Sequence, residues 1–79
     1  MVLNMVTASY LAELMDDACY ALRQRIGHEA AFVVRVVTPE QFGADTEPLA
    51  LVGTITAGER VYEVRWDRAG RERVLRRVQ

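Results

Sequence analysis

The sequence predicts a small α+β domain in which one N-terminal amphipathic helix packs on a four-stranded antiparallel sheet. Three features support this prediction: an apolar stripe with helical spacing in the first third, a run of β-branched residues over positions 30–38, and strand-like segments joined by glycine-bearing turns in the last third. A chain of 79 residues suffices for one domain with a thin core. We therefore treat residues 1–79 as a single compact domain.

The first predicted element is a helix that ends near Ile26. Thr7 or Asn4 can cap its start, since either side chain can accept a hydrogen bond from a free amide of the first turn. Apolar residues recur every three or four positions and form a stripe that should lie on the sheet: Leu11, Leu14, Met15, Ala18, Leu22 and Ile26. Gly27 suits the end of the helix.

Residues 30–38 predict a strand in the middle of the sheet, because they are rich in β-branched side chains and carry a single charge. One face of this strand is apolar and holds Phe32, Val34 and Val36. The opposite face holds Val33, Arg35 and Val37. Since this second face is also partly apolar, a partner chain is one candidate for covering it.

A single helical turn is predicted after this strand. Thr38 suits the cap, Pro39 suits the first helical position and Gln41 is placed to complete a capping box. We expect the turn to end at Gly43, and an acidic loop follows it.

Further strands are predicted at about residues 49–56, 60–66 and 71–78. In the first of them, simple alternation puts Leu51 and Ile55 on one face. The other face then holds Val52, Thr54 and Thr56.

Alternation is clearest in the next strand, where Tyr62, Val64 and Trp66 share one side. We expect these side chains to pack against the helix. Asp67 and Gly70 suit the first and fourth positions of a tight turn. The last strand can then form an unpaired edge of the sheet.

Several classes of protein are excluded by composition. Apolar runs are far shorter than the roughly 20 residues of a membrane helix, and no basic segment precedes one, so we predict a cytoplasmic protein. Cys19 is the only cysteine, and we expect it to be a small core residue. His28 is the only histidine, at the end of the helix, where a capping or surface role is expected. We predict no enzymatic activity, no cofactor and no metal.

Acidic residues form the first candidate partner-binding surface. The candidates are Glu13, Asp16, Asp17, Asp45 and Glu47. They are either a solvated face or a set of carboxylates that imitates phosphates and binds a groove rich in arginine and lysine. Residues 1–50 carry three arginines against seven acidic residues, and residues 51–79 carry seven arginines against four. The domain is therefore polarised in charge along its sequence.

Arginines of the last third form the second candidate surface. They are Arg60, Arg65, Arg68, Arg71, Arg73, Arg76 and Arg77. With Tyr62 and Trp66 between them, they can form a basic sheet on which nucleotides stack. The alternative is that carboxylates of the same segment pair with them across strands. Those carboxylates are Glu59, Glu63, Asp67 and Glu72.

The acidic helix TASYLAELMDDACYALRQRIG leads into AAFVVRVVT and an arginine-rich meander that ends in RERVLRRVQ. This layout, over the whole chain, resembles that of the small phage-encoded anti-CRISPR proteins that inhibit type I CRISPR-Cas systems, with type I-C as the first choice. The resemblance implies a stoichiometric inhibitor without cofactor or turnover. Such an inhibitor binds the Cascade surveillance complex in the host cytoplasm and stops it from engaging target DNA or recruiting its nuclease.

Two alternatives remain open at this stage. The first is a nucleic-acid-binding or transcription-regulating module that uses the arginine-rich sheet, with a homodimer through the last strand as one arrangement. The second is an accessory domain of a mobile-element protein, whose interface is the odd-numbered face of residues 31–37.

Overall fold

The structure is a computed structural model that describes residues 6–79, so the proposed cap at Asn4 lies outside the described part. The elements are α1 (Ala8–Ile26), β1 (Val33–Val36), α2 (Pro39–Ala44), β2 (Leu49–Ala57), β3 (Arg60–Asp67) and β4 (Glu72–Arg77). The strands pair antiparallel in the order β1-β2-β3-β4, and α1 packs on one face of this sheet through its buried side, here called the inner face of α1. The predicted fold class is confirmed. Within residues 6–79, no helix combines the length and apolar character needed to cross a membrane.

Helix α1 is built as its apolar spacing predicts. Thr7 caps it, since its Oγ1 accepts a hydrogen bond from the Tyr10 amide at 3.1 Å. The buried stripe consists of Leu11, Leu14, Met15, Ala18 and Leu22, with Ile26 half-buried beside it. This stripe packs on Val52, Ile55, Tyr62 and Val64 to form the core. Gly27 ends the helix with a φ of 109°, a conformation that favours glycine.

Arg23 joins the end of α1 to the start of β1. Its Nη1 donates hydrogen bonds to the carbonyl oxygens of His28 at 3.1 Å and Ala30 at 2.7 Å. The guanidinium carbon also lies 4.1 Å from the centre of the Phe32 ring, in a cation–π contact. One side chain therefore orders the connection that positions β1.

The prediction that residues 30–38 form a central strand is wrong. Strand β1 has only four residues, and in the part of the chain that the structure describes it pairs with β2 alone and lies at the edge of the sheet. All four of its residues are exposed. The composition of a segment indicates how well it fits a pleated, partly buried surface. Its place in the sheet depends on which distant segments pair with it, and composition does not encode that.

The predicted faces of β2 are also wrong. Leu51 pairs with Arg65 and Ile55 pairs with Tyr62, on opposite faces of β3, because a β-bulge lies between Leu51 and Gly53. The extra residue at the bulge reverses the alternation halfway along the strand. As a result Ala50, Val52 and Ile55 are all fully buried.

Helix α2 follows β1 and lies against β2. The predicted capping box is present, since Thr38 Oγ1 accepts from the Gln41 amide and Gln41 Oε1 accepts from the Thr38 amide. The helix ends one residue beyond the predicted Gly43, and Phe42 packs into the core.

The predicted turn between β3 and β4 is confirmed. Asp67 Oδ1 accepts hydrogen bonds from the amides of Ala69 and Gly70 at 3.0 and 3.1 Å. Arg71 takes a positive φ of 53°, so β4 begins at Glu72 rather than at Arg71. Strand β4 is the second edge of the sheet, as predicted.

Candidate partner-binding surfaces

The outer face of α1 carries three carboxylates that we call the acidic helix face: Glu13, Asp16 and Asp17. They are spaced by three and four residues, so they lie next to each other on the helix, opposite the buried stripe. All three are exposed, and Tyr20 lies on the same face with 68% of its surface accessible. The helix backbone holds these groups in a fixed arrangement at the surface.

The described residues do not neutralise the acidic helix face. Within residues 6–79, every salt bridge involves Glu63, and none involves a carboxylate of α1. Two arginines of α1, Arg23 and Arg25, lie in its last turns. The three carboxylates are therefore free to attract a basic partner.

Asp45 has a different environment. Its Oδ2 accepts a hydrogen bond from the Leu51 amide at 3.0 Å, and its Oδ1 accepts one from the Glu47 amide at 2.9 Å. These bonds lower the pKa of Asp45, and the positive charges of Arg68 and Arg65 add to the effect. The Leu51 amide lies at the bulge, where β1 supplies no partner. Asp45 thus satisfies one β2 amide that β1 does not reach.

The five predicted acidic residues therefore form two groups. Glu13, Asp16 and Asp17 lie together on α1, whereas Asp45 and Glu47 lie together in the loop after α2. Within residues 6–79 no hydrogen bond links the two groups. A role of Asp45 and Glu47 in partner binding stays a prediction, while the role of Asp45 in the fold is observed.

Among the predicted cross-strand ion pairs, only Glu63–Arg76 forms in residues 6–79, with 3.4 Å between Glu63 Oε1 and Arg76 Nη2. Glu63 Oε1 also lies 3.0 Å from Nε of Arg65, two residues away on the same strand. The hydrogen bond from Arg65 lowers the pKa of Glu63, and Arg76 contributes less. In residues 6–79, Glu59 and Glu72 form no ion pair, and the Asp67 carboxylate serves the turn. Several arginines of the last third thus lack an acidic partner in the described residues.

The aromatic residues of β3 do not form an open platform for bases. Tyr62 is buried, with 6% of its surface accessible, and belongs to the core as predicted. Trp66 is half-buried and contacts Tyr10 edge to face, with 6.3 Å between the ring centres. Base stacking would require exposed ring faces, so the arginine-rich sheet offers charge without aromatic stacking surfaces.

Catalytic and metal-binding candidates gain no support in the described residues. Cys19 is half-buried beside the core, and burial raises the pKa of its thiol despite the positive charge of Arg23. His28 is exposed after the end of α1. Residues 6–79 contain no group of three or more His, Cys, Asp or Glu side chains placed to hold a metal ion.

Two side chains with well-defined contacts were missed by reasoning from sequence. Asp45 precedes Glu47 by two residues, a spacing typical of a side chain that accepts from a nearby amide, and this signal was available. The contacts of Arg23 with Ala30 and Phe32 have no local signal in the sequence. Comparison with known proteins adds no further site, since the chain matches no protein-family model, no curated protein and no solved structure.

Proposed function

We propose that this protein is an anti-CRISPR inhibitor that binds the Cascade complex of a type I system, with type I-C as the first choice, in the cytoplasm of a host bacterium. The observation that supports the proposal is the acidic helix face, three exposed carboxylates on a rigid helix without a basic partner in residues 6–79. Carboxylates presented in this way can compete with phosphates for an arginine- and lysine-rich groove.

Inhibition would then follow from occupancy alone. Cascade must hold DNA through its phosphates, and a protein bound in the same basic groove prevents that contact. Charge attraction would speed the encounter, so association should slow as salt rises. Neither turnover nor a cofactor is needed for this mode of action.

The first experiment is to co-purify tagged protein with type I Cascade and to measure target DNA binding by the complex. The test variant replaces Glu13, Asp16 and Asp17 with lysine. The control replaces Glu29, Glu59 and Glu72 with lysine, because these residues are also exposed and the change in net charge is the same. We expect the test variant to lose capture by Cascade and inhibition, and the control variant to retain both. The free energy of unfolding of each variant should differ from that of the native chain by no more than about 0.5 kcal/mol per substituted site.

Equal inhibition by the two variants would contradict a role for the acidic helix face. Loss of capture in both would show that only net charge matters. Failure of the native chain to bind Cascade would remove the inhibitor proposal itself.

A second candidate function is nucleic-acid binding through the arginines of the last third. It is favoured by the exposed Arg60, Arg71 and Arg77, which have no ion pair in residues 6–79. The same preparation should be tested against labelled duplex DNA at low and high salt. Binding that weakens steeply with salt, without capture of Cascade, would favour this function, because released counterions mark phosphate contacts.

A further inference from the structure

The two edges of the sheet differ in a way that points to a second binding surface. Edge strands of soluble proteins are commonly protected from pairing with other chains by charged side chains. Strand β4 follows this rule and carries Glu72, Arg73, Arg76 and Arg77 in six residues. Strand β1 is short and has a single charge, Arg35, and its three valines, Val33, Val34 and Val36, are 60%, 41% and 43% exposed, so it is the less charged of the two edges.

The backbone of β1 is also available for pairing. The Val37 amide donates to the Val52 carbonyl oxygen at 2.9 Å, so the antiparallel alternation directs the polar groups of Val33 and Arg35 toward β2 as well. The N–H and C=O groups of Val34 and Val36 then point away from the sheet. Within residues 6–79, no strand lies on that side of β1.

Arg35 is the only charged residue of β1 and indicates what kind of strand fits there. It lies on the helix-free face of the sheet, opposite Thr54, and it is exposed. No carboxylate of residues 6–79 forms an ion pair with it. A strand added at this edge would place one of its own side chains opposite Arg35, and an acidic side chain there would form a favourable cross-strand pair.

A second copy of the chain is a less suitable partner for this edge. Two registers of an antiparallel β1–β1 pair use the outward groups and overlap equally: Val34 opposite Val36, or Val34 opposite Val34. The first puts the two Arg35 side chains directly opposite each other, which is destabilising, and the second puts Arg35 opposite Val33. Because neither register gives Arg35 an acidic partner, an acidic strand complements this edge better than a second copy does.

From these observations we infer that the open edge of β1 binds an extended segment of a partner protein, which adds as a further strand and places a carboxylate opposite Arg35. Main-chain hydrogen bonds to Val34 and Val36 would supply affinity, and the contact with Arg35 would supply selectivity. The inference goes beyond the proposed inhibitor function, because it involves neither the acidic helix face nor a nucleic-acid groove.

The test uses a blocked heptapeptide of alternating threonine and valine with a glutamate at its centre, and a twin peptide with lysine there. Amide resonances of the full chain, labelled with ¹⁵N, are followed during titration with each peptide. We expect the Val34 and Val36 amides to shift and the glutamate peptide to bind about 2- to 5-fold more tightly than its twin. The variant Arg35→Glu should reverse this preference.

A proline pair controls for the role of the backbone. Val34→Pro removes an amide that points outward from β1, and proline is tolerated at such edge positions. The matched variant is Arg77→Pro on the other edge: because the Val78 amide donates to Val61, the amide of Arg77 points outward from β4. Circular dichroism checks that both variants are folded. We then expect only Val34→Pro to lose peptide binding.

Equal affinity for the two peptides would contradict the role of Arg35, and three further results would overturn the inference. The first is the absence of shifts at Val34 and Val36 at millimolar peptide. The second is a set of shifts confined to the β4 amides, which would show that the more basic edge is the one that binds. The third is a dimer in sedimentation velocity with both of these β1 amides protected, since a second copy would then occupy the edge.

Discussion

The two faces of α1 differ in how completely the chain itself uses them. The inner face buries five side chains against the sheet, and Leu11, Ala18 and Leu22 on it have no accessible surface. The outer face presents three carboxylates and Tyr20 to solvent, and residues 6–79 supply no partner for those charges.

The fold requires the residues of the inner face of α1, whereas the residues of the outer face are exposed and are not needed for packing. Residues of the inner face are determined by packing, so their identity says little about function. Residues of the outer face are free of that constraint, and a set of three like charges there slightly opposes helix stability through mutual repulsion. The contrast makes the outer face the more informative surface for identifying a partner.

The largest effect should come from opening a cavity on the inner face. Leu22→Ala removes a fully buried side chain, and we expect it to lower the free energy of unfolding by about 2–5 kcal/mol. Tyr20→Ala on the outer face is the matched change and should stay within about 0.5 kcal/mol. Urea denaturation measures both, and similar losses would mean that the two faces are not distinct.

A smaller effect should come from the point where the inner face approaches the sheet most closely. A Cβ atom added at Gly53 would clash with the carbonyl oxygen of Arg35 and lie 2.8 Å from Met15 Sδ. We expect Gly53→Ala to destabilise the domain by about 1–3 kcal/mol because β1 and α1 must both move. Gly43→Ala is the control, since nothing lies within 4 Å of its added Cβ. An unchanged free energy of unfolding in Gly53→Ala would show that the sheet accommodates the added methyl group without cost.

The smallest effect concerns carboxylates that the fold does use. The pKa of Glu63 and that of Asp45 are lowered in the folded state, so the stability they contribute is present above their unfolded values of about 4.3 and 3.9. It is lost as pH falls through the lower folded values. Glu63→Gln should cost less than about 1 kcal/mol at neutral pH, because its ion pairs are solvent-screened.

Urea denaturation from about pH 7 to about pH 3 measures the loss of stability on acidification, because this range includes the unfolded pKa values of both carboxylates. The double variant Asp45→Asn, Glu63→Gln should lose less stability on acidification than the native chain. An equal loss of stability in the double variant and the native chain would contradict the contribution of these two carboxylates to the fold.

Local patterns predicted the elements that depend on near neighbours. The stripe of α1, the capping box at Thr38 and the turn at Asp67 all form as the sequence indicates, because each rests on contacts within a few residues. The acidic helix face was also predictable, since helical spacing alone brings Glu13, Asp16 and Asp17 together.

The features that sequence reasoning missed depend on pairing between distant segments. Strand β1 lies at an edge because, among residues 6–79, only β2 pairs with it, and the role of Asp45 follows from β1 being too short to reach Leu51. The bulge in β2 appears only when its register with β3 is known. None of these properties is encoded in the composition of one segment, which is why alternation failed in β2 and succeeded in β3.

The bulge also determines how substitutions should be tolerated along β2. Before it, even-numbered positions such as Ala50 are buried; after it, the odd-numbered Ile55 is buried, while Val52 marks the point of change. A saturation mutagenesis map of residues 49–57 should therefore show two short alternating patterns that are out of step by one residue. Deleting a single residue near Val52 would be the gentlest length change in this strand, because it realigns the two patterns instead of shifting a regular ladder.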